Sequence, residues 1–132
     1  MEELETQEET SNLKADLAEA DARIDELKEA IRIGEATERL IVSDDYAAVF
    51  VDGFYDGERD RIAGVLTTPN YFDDGQLNIF MEKMAAIRHT KEWIKACMIN
   101  YTTALEQLPA SEDYRNVITA RYANDAIDTE EA

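Results

Sequence analysis

The chain has 132 residues, enough for one modest domain or for a small core with a projecting helical arm. Its 5 glycines and 2 prolines are too few for the closely spaced turns of a β-sandwich or barrel, so long helices are expected. The 30 acidic residues outnumber the 13 basic ones, and the net charge of −17 would repel nucleic-acid phosphates and anionic membranes. A solvated acidic surface and an acidic face that docks a basic partner both remain possible.

The first third of the chain carries an apolar heptad pattern. Residues 1–9 are rich in glutamate and are expected to form a flexible acidic N-terminus. Residues 10–42 are expected to form a coiled-coil helical arm. Because an isolated helix of this length is marginal in water, its apolar seam predicts a partner helix from a second copy or from another protein. The seam residues are Leu13, Leu17, Ile24, Leu27 and Ile31.

The charges beside this seam bear on how two copies would pair. Antiparallel pairing opposes Asp16 with Arg23 and Lys14 with Asp21, whereas parallel pairing opposes Asp16 with Asp21. The charges therefore favour an antiparallel pair. The bias is small, because an exposed ion pair contributes only a few tenths of a kcal/mol.

Residues 43–123 are predicted to form a helical hairpin or bundle that ends in a short helix, and residues 124–132 an acidic tail. The central element is a helix of about 32 residues from Leu77 to Leu108, because apolar residues keep 3,4 spacing along it. Pro109 is expected to end it. The expected fold class is all-α: an N-terminal coiled-coil arm plus a small helical hairpin or bundle with one helix of about 30 residues.

The segment between the arm and the long helix is rich in aromatic residues. Tyr46, Phe50 and Phe54 fall largely on one side of a helix read at 3,4 spacing. Gly53 and Gly57 lie four apart, which predicts either the close approach of another helix or a local kink. We expect these five residues, together with the seam, to contact a partner protein.

No combination of residues predicts catalysis, a metal site or a cofactor. His89 is the only histidine and is eight residues from the single cysteine, Cys97, which is expected to pack in the core. The loop expected over residues 67–75 lacks the alternating oxygen ligands of a calcium-binding EF-hand. Three aspartates at four-residue spacing favour a solvated face over a cation site. They are Asp52, Asp56 and Asp60. We therefore expect a protein that is not an enzyme.

Three features of the sequence predict a cytoplasmic protein. A single cysteine cannot form an internal disulfide. The acidic start, Met1-Glu2-Glu3-Leu4, is unlike a secretory signal peptide. No apolar run approaches the length of a membrane-spanning helix.

Between Leu40 and Tyr55 the sequence reads LIVSDDYAAVFVDGFY, in which Ser-x-Asp-aromatic is followed by Asp-Gly-aromatic. This order resembles a group of small acidic proteins that tailed bacteriophages encode among their head and packaging genes. The chain departs from the group at Gly57 and at the pair Tyr55-Asp56, where helix-favouring residues are expected. The matching residues are Ser43, Asp45, Tyr46, Asp52, Gly53, Phe54 and Arg61, followed by the helix from Leu77 to Leu108.

The resemblance implies a virion structural or head-assembly protein that binds phage capsid or connector protein through helical faces. It would be a homo-oligomer or pair with a helical partner, without direct nucleic-acid or membrane contact. Its expected location is the host cytoplasm during assembly and then the virion. Two alternatives stay open: an acidic DNA mimic that inhibits a host nucleic-acid-binding protein, and an assembly chaperone or scaffold. Mimicry needs carboxylates along one face, whereas the acidic residues here are spread over the chain.

Overall fold

A computed structural model describes residues 2–67 and 74–131, and every element in this part of the chain is a helix. Outside the helices lie only Val42, Ser43 and Thr67, and no described residue is in a strand. The predicted all-α fold class is confirmed. The elements are α1 (Glu2–Ile41), α2 (Asp44–Tyr46), a π-helix (Ala47–Asp56), α3 (Gly57–Leu66) and α4 (Asp74–Glu131).

Packing divides the chain into two compact units, of which the first combines Met1–Arg32 with Asn100–Ala132. In this unit, Arg23 donates a 2.6 Å hydrogen bond from Nη2 to Oε1 of Gln107. Arg115 donates from Nε to the carboxylate of Asp21. Asp21 precedes Arg23 in α1, whereas its partner Arg115 follows Gln107 in α4. The two segments are therefore antiparallel.

The apolar seam of α1 is buried in this unit by the same chain. Ile24 and Leu27 are 6% and 4% exposed, and Ala104 and Ile118 of α4 are also buried. Over its central part the seam therefore packs against α4 of the same chain. Sequence reasoning did not find this contact because Ala104 and Ile118 lie more than seventy positions from the seam residues that they help to bury.

The second unit is Ile33–Ile99. Its core is formed by Tyr46 and Tyr55 together with Ile87 of α4. Three partly buried side chains pack against this core: Val51, Phe54 and Ile94. The units divide the chain differently from the predicted segments 10–42 and 43–123, because both long helices contribute residues to both units.

The prediction that Pro109 ends a helix is wrong, because α4 continues through it to Glu131. Proline lacks an N–H and costs about 3 kcal/mol inside a helix. Here the flanking turns are held on both sides, by Ala104 and Gln107 before the proline and by Arg115 and Ile118 after it. These contacts stabilise the helix across the weak position.

The helix ends also differ from the predicted segments. α1 begins at Glu2, within the region expected to be flexible, and its first turn carries three glutamates that interact favourably with the helix dipole. Residues 124–131 of the predicted acidic tail belong to α4. Most of the predicted loop, residues 68–73, lies outside the described residues. In the part of the chain that the structure describes, no helix has both the length and the apolar character needed to cross a bilayer.

Candidate protein-binding site

The π-helix brings two distant tyrosines onto one face. The hydroxyl oxygens of Tyr46 and Tyr55 are 2.9 Å apart and share a hydrogen bond. Nine residues make two and a half turns of α-helix, which would put these side chains on opposite faces. They make about two turns of a π-helix, in which each hydrogen bond spans five residues, so the side chains coincide. The hydrogen bond therefore depends on the π-helical geometry.

Phe50 completes an aromatic cluster on this face. Its ring stacks on Tyr46 with centroids 5.1 Å apart. It also lies 6.3 Å from the Tyr55 ring, and Tyr46 and Tyr55 meet edge to face at 6.4 Å. These are the separations and arrangements that aromatic pairs favour. Sequence reasoning missed Tyr55 because it assumed 3,4 spacing, at which Tyr55 falls away from Tyr46 and Phe50.

Each of the two glycines lies against a π-helix carbonyl group five residues earlier in the chain. A Cβ added to Gly53 would lie 3.1 Å from the carbonyl oxygen of Ala48. A Cβ added to Gly57 would lie 2.8 Å from that of Asp52, which also accepts a hydrogen bond from the Gly57 N–H. Apart from Ala48 and Asp52, no described residue has an atom within 4 Å of either position among the contacts considered for an added Cβ. The close approach at these glycines is thus made by carbonyls of the π-helix that precede them in the chain, and not by a separate helix packed against them.

Ser43 lies between α1 and α2 and is the N-cap of α2, which leads into the π-helix. Its hydroxyl donates a 2.7 Å hydrogen bond to the carbonyl oxygen of Leu40. The same oxygen accepts a 3.1 Å bond from the backbone N–H of Tyr46. One side chain therefore satisfies the end of α1 and the start of α2, which fixes where the aromatic cluster begins.

The residues predicted to contact a partner fall into two groups. Those of the seam lie in the first unit, where Ile24 and Leu27 are buried and the other three are half-buried: Leu13, Leu17 and Ile31. Those of the second unit lie on α2, on the π-helix or at the first residue of α3. Tyr46 is buried, Phe54 is half-buried, and the rest are exposed: Phe50, Gly53 and Gly57.

Exposed apolar side chains are concentrated on the same segment of the second unit. Five large apolar side chains within residues 40–50 are exposed, from 37% for Phe50 to 79% for Val42. Single exposed apolar residues are ordinary, whereas contiguous exposed apolar patches are typical of surfaces that bind a protein or a membrane. We call this surface the junction patch. It consists of Leu40, Ile41, Val42, Val49 and Phe50.

The charged residues around the π-helix form ion pairs. Arg59 lies 3.3 Å from Asp56 and 3.8 Å from Asp60, so two of the three spaced aspartates share one cation. Arg61, the arginine in the phage-like pattern, donates a 2.7 Å hydrogen bond to Glu58. This bond is the main cause that lowers the pKa of Glu58. Among the described residues, no group of three or more metal-binding side chains is placed to hold a metal ion.

Burial raises the pKa of Tyr55 to about 12, and the hydrogen bond with Tyr46 adds to the shift. Lys91 stands over the Tyr55 ring, with Nζ 4.8 Å from the centroid. The other two residues considered for chemistry both lie on α4. Cys97 is buried, as predicted, and His89 is exposed beside Glu92. The segment from Tyr46 to Tyr55 therefore provides aromatic side chains for packing.

Comparison with known proteins gives no further guide, since no family model, no curated protein and no solved structure matches the chain.

Proposed function

We propose that this chain is a non-enzymatic virion structural or head-assembly protein of a tailed bacteriophage. It binds capsid or connector protein through the junction patch. The observation that carries the proposal is the concentration of exposed apolar side chains on residues 40–50. Burying them against a partner would remove apolar area from water, which contributes about 25 cal/mol per Å².

The position of the patch supports the phage assignment. The segment that resembles the phage proteins, Leu40 to Tyr55, contains every residue of the junction patch and most of the π-helix. Long π-helices are rare, and shorter ones are frequent at functional sites. A backbone that exposes Val49 and Phe50 while burying Tyr46 and Tyr55 is well suited to presenting a docking surface.

The acidic DNA mimic is the second candidate, and the uneven distribution of charge favours it. The first unit carries 18 acidic and 6 basic residues, whereas the second carries 12 and 7. A partner held by the first unit would be basic, and its binding would weaken as salt rises, because exposed charges are screened beyond about 8 Å at physiological ionic strength.

A pull-down from infected cells, washed at low and then at high salt, separates the two functions. Under the first proposal, capsid or connector protein remains bound through both washes, because apolar burial is not screened. The double substitution Val42→Asp with Val49→Asp should abolish this capture. Leu105→Asp with Val117→Asp is the matched control, since it makes the same change in charge at two side chains of the first unit that are 49% and 52% exposed.

Mass spectrometry of purified particles adds a test of location. We expect the chain in particles or in assembly intermediates, and gene deletion should give defective heads. Recovery of only a host DNA-binding protein, lost in the high-salt wash, would refute the virion proposal and support the mimic.

A further inference from the structure

A groove of the Ile33–Ile99 unit lies where the π-helix and α3 face α4, and it shares no residue with the junction patch. Its volume is about 290 Å³. Sites for drug-sized ligands are about 300–1,000 Å³, so this groove has room for one or two side chains. Its lining consists of Tyr55, Arg59, Met84, Ile87, Arg88, Lys91 and Glu92.

The floor of the groove is apolar. Tyr55 and Ile87 belong to the buried core, and Met84, which also lines the groove, is 39% exposed. An apolar side chain entering here would cover Met84 and complete the packing around the core. The floor therefore favours a ligand that carries a large apolar group.

The rim of the groove is cationic, in a chain whose net charge is −17. Arg59, Arg88 and Lys91 line it with a single acidic residue, Glu92. The existing ion pairs are weak: Arg88 is 4.0 Å from Glu92, and Arg59 is shared between Asp56 and Asp60. Exposed pairs contribute about 0–1 kcal/mol, so a ligand carboxylate can replace or join them at little cost.

Lys91 is the best placed of the three cations. It stands over the Tyr55 ring at 4.8 Å, which holds its ammonium above the apolar floor. Within residues 2–67 and 74–131, Lys91 takes part in no ion pair. A carboxylate that reached the rim would meet this charge next to the apolar floor.

We propose that this groove binds an acidic peptide segment of a partner protein, with one large apolar side chain on the floor and flanking carboxylates on the rim. Nucleic acid fits poorly, because a polyanion would also meet the repulsion of the remaining surface. A small inorganic anion would leave the floor uncovered. The proposal does not depend on the phage assignment.

The test uses the full chain and a short fluorescein-labelled peptide that has one leucine between glutamates. Binding is measured by fluorescence anisotropy at low and at physiological salt. We expect Arg88→Glu and Lys91→Glu each to weaken binding about fivefold or more, as expected for a contact between exposed charges. Lys95→Glu is the matched control: it makes the same change in net charge on α4 but does not line the groove.

Peptide variants test the same contact without touching the fold. Replacing the leucine with serine, or the glutamates with glutamines, should weaken binding by a similar factor. The proposal is refuted if the unaltered chain does not bind the peptide at millimolar concentration. The proposal is also refuted if Lys95→Glu weakens binding as much as the two groove substitutions do, or if the serine peptide binds as tightly as the leucine peptide. Full displacement of the peptide by inorganic phosphate would refute it as well. Far-UV circular dichroism verifies that each variant is folded.

Discussion

Replacing Gly57 with alanine tests the π-helix directly, because the same substitution at Gly64 provides its control. Both glycines lie in α3, and alanine is favoured over glycine in a helix by about 1 kcal/mol. A Cβ at Gly64 meets nothing within 4 Å, so Gly64→Ala should stabilise the protein by about that amount.

At Gly57 the new Cβ would lie 2.8 Å from the Asp52 carbonyl oxygen, although ordinary contact begins at 3.4 Å. The obstacle is backbone, so it can be relieved only by shifting the π-helix. Overpacking of this kind costs about 1–3 kcal/mol. After the gain in helix propensity is subtracted, Gly57→Ala should destabilise the protein by up to about 2 kcal/mol. The two variants should then differ by about 1–3 kcal/mol.

Urea unfolding followed by far-UV circular dichroism measures this difference, and thermal unfolding should show the same order of midpoints. If the segment were an ordinary α-helix in solution, a carbonyl five residues back would not meet the Cβ, and both alanine variants would be stabilised alike. Equal free energies of unfolding for the two variants would therefore contradict the π-helix and the interpretation of the tyrosine pair that follows from it.

Three further outcomes are expected. Because the folded-state pKa of Tyr55 is raised to about 12 above an ordinary value of 10.0, its contribution to stability is complete below pH 10 and is lost as the pH rises toward 12. Tyr55→Phe should remove this part of the alkaline loss in unfolding titrations, while Tyr114→Phe, at an exposed position, should leave it unchanged. Pro109→Ala should stabilise the protein by up to about 3 kcal/mol in urea unfolding, and a destabilised variant would show that the proline is needed where it is. Ile24→Ala should lower the free energy of unfolding by about 2–4 kcal/mol, because Ile24 is buried against α4. Ile99→Ala, at an exposed position, should lower it much less, and equal losses would argue against the antiparallel packing.

The sequence was sufficient to predict an all-helical chain, but not where each helix ends or how the helices are paired. The 3,4 spacing along α1 and α4 predicted helices, and the structure confirms them, as it confirms the burial of Cys97. The cover of the seam depends on contacts such as Arg115 with Asp21, across 94 positions, which no local pattern reports.

The candidate site could be predicted only in part, because its helical period was assumed. At 3.6 residues per turn the pattern groups Tyr46, Phe50 and Phe54, and at the π-helical period it groups Tyr46 and Phe50 with Tyr55. The unusual pair Tyr55-Asp56 and the glycine at position 57 mark the region as different from a regular helix. They do not indicate that each turn should be wider.

The π-helix also affects how this chain is aligned with other sequences. Ten residues of π-helix make about 2.3 turns, as many as about eight residues of α-helix make. A related chain with an ordinary α-helix here would be about two residues shorter and would keep the helices on either side in the same rotational phase. A gap of that length within residues 47–56 is therefore structurally neutral, and an alignment method that penalises gaps inside helices would place the aromatic residues of such a relative in the wrong columns.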